Sequence, residues 1–149
     1  VPILIGDANR CLVTMRGKTF PAGPEFTKPV MVGRAVRALI FCHGSNWGGT
    51  PGVTAATYEI TYADGTTASL PVITGTAIDN WWIDHQDGED SRTIPLLAKD
   101  AQEPDRPWRF LRLWCWENPR SDVPVTSVAI RAGSPEITFA TVGITGIVW

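Results

Sequence analysis

The sequence predicts an all-β domain, an antiparallel β-sandwich. Three observations predict it. Short apolar runs recur along the chain, and several of them alternate in polarity as half-buried strands do. Turn chemistry built from 14 Gly and 12 Pro separates the runs. Nothing longer than a turn or two carries a helical period, and Leu96 to Gln102 is the single weak helix candidate. About eight such runs at roughly 10-to-15-residue spacing fit a sandwich of the jelly-roll kind.

The elements follow in chain order. Val1 to Ile5 is a short apolar run ended by Gly6-Asp7, and Cys11 to Met15 is a second, ended by Arg16-Gly17-Lys18. Residues 17 to 35 hold Pro21, Gly23, Pro24, Pro29 and Gly33, so they read as a loop with one edge segment. Val36 to His43 alternates, with Val36, Ala38, Ile40 and Cys42 on one face and Arg37, Leu39, Phe41 and His43 on the other. Gly44 to Gly52 is a long turn cluster. Thr54 to Tyr62 places Tyr58, Ile60 and Tyr62 on one side, and Asp64-Gly65 then marks a tight hairpin into Thr67 to Val72. Residues 73 to 105 read as largely irregular. Trp108 to Glu117, Val123 to Arg131 and Ile137 to Val148 are the last strands.

Length and composition bound the function. A chain of 149 residues is one domain on the usual prior, spanning 1–149, and buries roughly two-thirds of its unfolded surface. Thirteen basic and 15 acidic residues leave a net charge of −2, which gives neither the basic face nucleic acid requires nor a polybasic membrane patch. No apolar run is long enough to span a bilayer as a helix. There is no initiator Met and no signal peptide, so the chain reads as a mature or excised domain. Cys11, Cys42 and Cys115 lie in apolar runs, allow one bridge at most, and read as buried thiols. Seven Trp in a domain this small is the unusual number, because Trp is either core filling or a recognition surface.

Two stretches carry a resemblance. One runs from Tyr58–Gly65 through Pro71–Gly75 to Ile78–Trp82; the other joins Leu111–Pro119 to Val123–Ile130. Both resemble segments of bacterial jelly-roll carbohydrate-binding modules appended to polysaccharide-degrading enzymes, over roughly residues 36 to 148. The resemblance implies sugar binding without catalysis, a secreted setting and a covalently attached catalytic domain. Such modules often hold structural calcium.

Catalytic motifs are absent. The chain has no G-x-S-x-G elbow, no H-E-x-x-H and no phosphate-cradling loop. His43 beside Ser45 reads as a strand end running into a turn, since a working Ser-His pair comes from separate strands. A glycosidase needs two carboxylates about 5 to 10 Å apart. Glu59, Asp79, Asp84, Asp87, Glu89, Asp90 and Glu117 are the candidates, most of them in loops. The acidic loop Asp84–Asp90 offers oxygens to calcium but departs from the EF-hand spacing, so no metal is required and a solvated loop is the simpler expectation.

The tryptophans point to the site. In Trp108–Glu117, Leu111, Leu113 and Cys115 share one face, and Trp108, Phe110, Arg112, Trp114 and Trp116 share the other. Arg is almost never buried unpaired, so the Arg112 face is expected to be the open one. The competing expectation buries both faces, with Arg112 paired to a carboxylate. Trp47 lies in a Gly-rich turn, and Trp81-Trp82 adjoins Asp79, Asn80, Asp84 and His85. Flat indoles cover the apolar face of a pyranose, and Arg, His, Asn or Asp hydrogen-bond its hydroxyl rim. The expected ligand-binding set is therefore Trp47, Trp81, Trp82, His85, Trp108, Arg112 and Trp114. The expected function is non-catalytic binding of a cell-wall polysaccharide or oligosaccharide, of β-glucan type. Two alternatives stay open: a structural or protein-interaction domain of a larger enzyme, and a small glycoside-active enzyme.

Overall fold

The computed structural model describes residues 12–47, 50–83, 91–97 and 108–148. Nine strands lie among them, and no helix. They are β1 (Val13–Thr14), β2 (Val30–Arg34), β3 (Ala38–Asn46), β4 (Thr54–Tyr62), β5 (Thr67–Ile73), β6 (Ser91–Leu97), β7 (Trp108–Glu117), β8 (Val125–Ala132) and β9 (Thr138–Ile147). They form two sheets, β1-β9-β3-β7-β6 and β2-β8-β4-β5. Every named strand pairing is antiparallel. Without β6 the two orders are those of an eight-stranded jelly roll, so β6 is an extra edge strand beside β7.

The hairpin from β4 to β5 forms where its sequence signals it. Gly65 sits at φ 82°, and the Tyr62 N–H donates to the Thr66 carbonyl at 2.9 Å. The Asp64 carboxylate accepts from the Thr66 N–H at 3.0 Å, which fixes the turn locally. On β4 the alternation is real: Tyr58, Ile60 and Tyr62 are buried, while Glu59 points out to Ser69 and Arg131.

The core fills the space between the sheets. Phe41 of β3 stacks on Tyr58 of β4 with ring centroids 3.9 Å apart, and Phe139 of β9 meets Tyr58 edge-on at 6.0 Å. Trp114 lies 5.6 Å from Phe41, and both Trp114 and Trp116 pack against this cluster.

The faces of β7 are the reverse of the sequence expectation. Its register against β3 sets Leu39 opposite Trp116, Phe41 opposite Trp114 and His43 opposite Arg112. Directly opposed residues share a face, and Leu39, Phe41 and His43 are buried in the core. Trp114, Trp116 and Arg112 therefore face inward, and Arg112 is buried. Leu113 and Cys115 lie outside, opposite Cys42 and Ile40. The inference from Arg112 failed because Arg112 finds a partner inside: its guanidinium donates to Thr93 of β6 at 2.6 Å.

Two further expectations are corrected and one is borne out. The stretch from 73 to 105 contains β6, and Leu96 and Leu97 of the helix candidate are strand residues. The turn after β3 starts later, because Gly44, Ser45 and Asn46 continue the strand opposite Ala140, Phe139 and Thr138. The expected edge segment between 17 and 35 is β2, which among the described strands pairs with β8 alone. Cys42 is a buried free thiol, and Cys115 is half-buried. The apolar run Val1–Ile5 and Cys11 lie outside the described residues.

Candidate functional site

At the far end of β3 its pairing with β7 stops at His43 opposite Arg112. The segment Asn80–Trp81 enters the gap. The Trp81 N–H donates to the Ser45 carbonyl at 2.9 Å, and the Phe110 N–H donates to the Trp81 carbonyl at 2.7 Å. The Ser45 hydroxyl donates to the Asp79 carbonyl at 2.9 Å. These bonds satisfy backbone groups that the splayed strands would otherwise leave open. Trp81 lies on the outer face: a Cβ placed on Gly44 would meet Leu111 at 2.9 Å and Trp81 at 3.5 Å. Gly44 is the residue that lets this indole close on the sheet.

Asn46, the last residue of β3, joins two more tryptophans, one by its backbone and one by its ring. Its Oδ1 accepts from the Trp47 N–H at 3.1 Å and from the Trp82 Nε1–H at 3.3 Å. Its Nδ2 donates to Thr19 at 3.4 Å, and Thr19 donates in turn to Thr138 of β9 at 2.8 Å. One amide thus ties both tryptophans to the sheet. Trp47 has φ 61° and is the one non-Gly residue with positive φ among the described residues. A bulky side chain in that region is strained, and such strain persists only where surroundings hold it. The residue is 52% exposed. The Lys18 ammonium lies 5.1 Å from the Trp47 ring centroid, and the Arg109 guanidinium lies 3.3 Å over the Trp82 ring. The arrangement offers apolar indole surface beside cationic and amide donors.

A second polar constellation lies inside the core. His43 Nε2 is 2.9 Å from the Ala77 carbonyl, which can only accept, so this nitrogen carries the proton. His43 Nδ1 then accepts from the Tyr58 hydroxyl at 2.9 Å, and Tyr58 accepts from Thr141 at 2.5 Å. The order runs Thr141, Tyr58, His43, Ala77, with each proton assigned. Burial, helped by the nearby Arg112 charge and opposed by the Ala77 bond, lowers the His43 pKa to about 4. Burial pushes Tyr58 well above the usual phenol range and raises the Cys42 thiol. This chain is sealed in the core, and it holds β3, β4 and β9 together rather than facing a substrate.

The expected site residues divide accordingly. Trp47 and Trp82 come together, with Trp81 anchoring the turn behind them. Trp114 and Arg112 point into the core instead. Trp108 is the first residue of β7, and its side chain lies outside the described part. His85 and the acidic loop Asp84–Asp90, with its calcium expectation, also lie outside the described residues. The strand carboxylates Glu59 and Glu117 sit on the outer faces of opposite sheets, so they do not form a pair. Asn46, Lys18 and Arg109 were missed. Asn46 left a signal, since Asn before a turn residue commonly bonds the following backbone. Lys18 and Arg109 reach the site only through the fold and left none.

No family model, no curated protein and no solved structure matches the chain.

Proposed function

We propose that this protein binds carbohydrate without catalysis, through the Trp47–Trp82 end of the sandwich. The reading rests on one observation: Trp47, an exposed tryptophan at φ 61°, donates its backbone N–H to the same Asn46 oxygen that grips the Trp82 indole. A strained, solvent-facing aromatic implies selection for something other than stability. Pyranose C–H faces stack on indoles, and Lys18, Arg109 and the Asn46 amide supply donors to ring hydroxyls. The ligand class is a neutral cell-wall glycan of β-glucan type, in keeping with the resemblance of residues 58–82 and 111–130. On that reading the domain is a secreted targeting module for an attached glycoside hydrolase.

The magnitudes suit such a role. A sugar ring covering roughly 80 Å² of indole gains about 2 kcal/mol at ~25 cal/mol/Å². Two rings, less the cost of ordering the ligand, give about millimolar affinity. Native gels cast with a panel of polysaccharides test it. Retardation is expected in β-glucan gels, lost in Trp47→Ala and Trp82→Ala with the fold intact. Unchanged retardation of both variants would remove these indoles from the site. Reducing-sugar release measured in parallel distinguishes the glycoside-active alternative.

A further inference from the structure

On one side of the sandwich the seam between the sheets is open. A groove of about 400 Å³ runs there, within the size range of small-molecule sites. Leu12 and Val13 of the β1 edge form one wall with Val142, Gly143 and Ile144 of β9; Val30 of the β2 edge and Ile130 of β8 form the other. Among the described residues the lining is aliphatic, with no aromatic ring, which is the opposite of the indole cluster. Leu12, Val13 and Val30 are 48%, 38% and 51% exposed, so this seam concentrates apolar surface that a closed sandwich would cover.

The polar groups along the groove are asymmetric. Buried Thr141 borders its inner side, with its hydroxyl proton committed to Tyr58 by the His43 chain. That side therefore offers no hydroxyl proton to an anion. The rim does the reverse. Lys28 carries an ammonium with no acidic partner among the described residues. Beside it Thr27 Oγ1 accepts from the Ile130 N–H at 2.9 Å and keeps its own proton to donate. Two donors, one of them charged, stand at the mouth of an aliphatic channel.

We propose that this groove binds an aliphatic monocarboxylate, its chain between Val13, Val30 and Ile144 and its carboxylate on Lys28 and Thr27. The two donors at the mouth fix the orientation, head outward. The site is separate from the indole cluster and does not depend on its sugar reading.

Decanoate below its micelle concentration is the probe, followed by amide proton–nitrogen spectra of the whole chain. Saturable shifts are expected at Val13, Lys28, Val30 and Thr141–Ile144, with decanol bound about fivefold more weakly. Lys28→Gln should bring decanoate down to the level of decanol and leave decanol unchanged. Val30→Asp, at an exposed position, should weaken decanoate with an unaltered melt. The absence of saturable shifts at these amides overturns the proposal. So does equal affinity for decanol, or a concentration-dependent dimer that covers Leu12 and Val30 and excludes the probe.

Discussion

Two regions of this molecule are built from the same residue types and do opposite things. In the core, Trp114 packs with Phe41, Tyr58 and His43, and the polar atoms of the Thr141–Tyr58–His43–Ala77 chain satisfy one another. At the end of β3, Trp47 and Trp82 meet Lys18, Arg109 and Asn46, and the Trp47 ring is left largely in solvent. The difference lies in which neighbour the strand register supplies. Trp114 sits opposite Phe41 in the middle of a sheet covered by its partner sheet. Trp47 follows the last paired residue of β3, beyond the end of its ladder with β9. An aromatic residue is core or surface by its place in the ladder, not by its type.

Truncation should separate the two regions most strongly. Trp114→Ala is expected to cost about 3–5 kcal/mol, because it opens a cavity among packed rings. Trp47→Ala is expected to stay within about 0.5 kcal/mol of the parent, since its ring already contacts water. Urea unfolding of both variants checks this. Equal losses would break the comparison.

The core chain should next show itself through pH. The folded-state pKa of His43, about 4, lies below its unfolded value of 6.5. The unfolded state therefore takes up the proton first as pH falls. The stability that neutral His43 contributes is complete above about pH 6.5 and is lost progressively down to about pH 4. For a fully buried group the total is about 3 kcal/mol. Urea midpoints across that range should fall, and His43→Gln should flatten the decline. A parent profile already flat between those limits would contradict the proton assignment.

Tyr58→Phe should have a smaller effect. It leaves His43 Nδ1 without a donor and Thr141 without an acceptor, at about 1–3 kcal/mol. Thermal unfolding measures it. A neutral result would mean that the chain is not a closed unit.

Legibility in the sequence follows the same division. The β4–β5 hairpin was readable because its alternation and its Asp64-Gly65 turn are local. The span of β7 was readable as well, but not its orientation. Both of its faces are rich in apolar residues, and only pairing with β3 decides between them. β6 was hidden because Pro95 interrupts its run; as an edge strand paired with β7 alone, it tolerates the proline. Gly44, Ser45 and Asn46 have turn composition, yet their pairing with β9 keeps them in the sheet. Of the candidate site, Trp47 and Trp82 were legible as loop aromatics. The Asn46 oxygen that unites them was not, because it bridges positions 36 residues apart.

The central claim is that the indoles of the β3 end meet the ligand while those of β7 do not. Indole N–H resonances of the whole protein, followed during titration with a soluble β-glucan oligosaccharide, test it directly. The Trp47 and Trp82 signals should move and saturate together while those of Trp114 and Trp116 stay fixed. Movement confined to Trp114 and Trp116, or a spectrum that stays still across a panel of glycans, would contradict it.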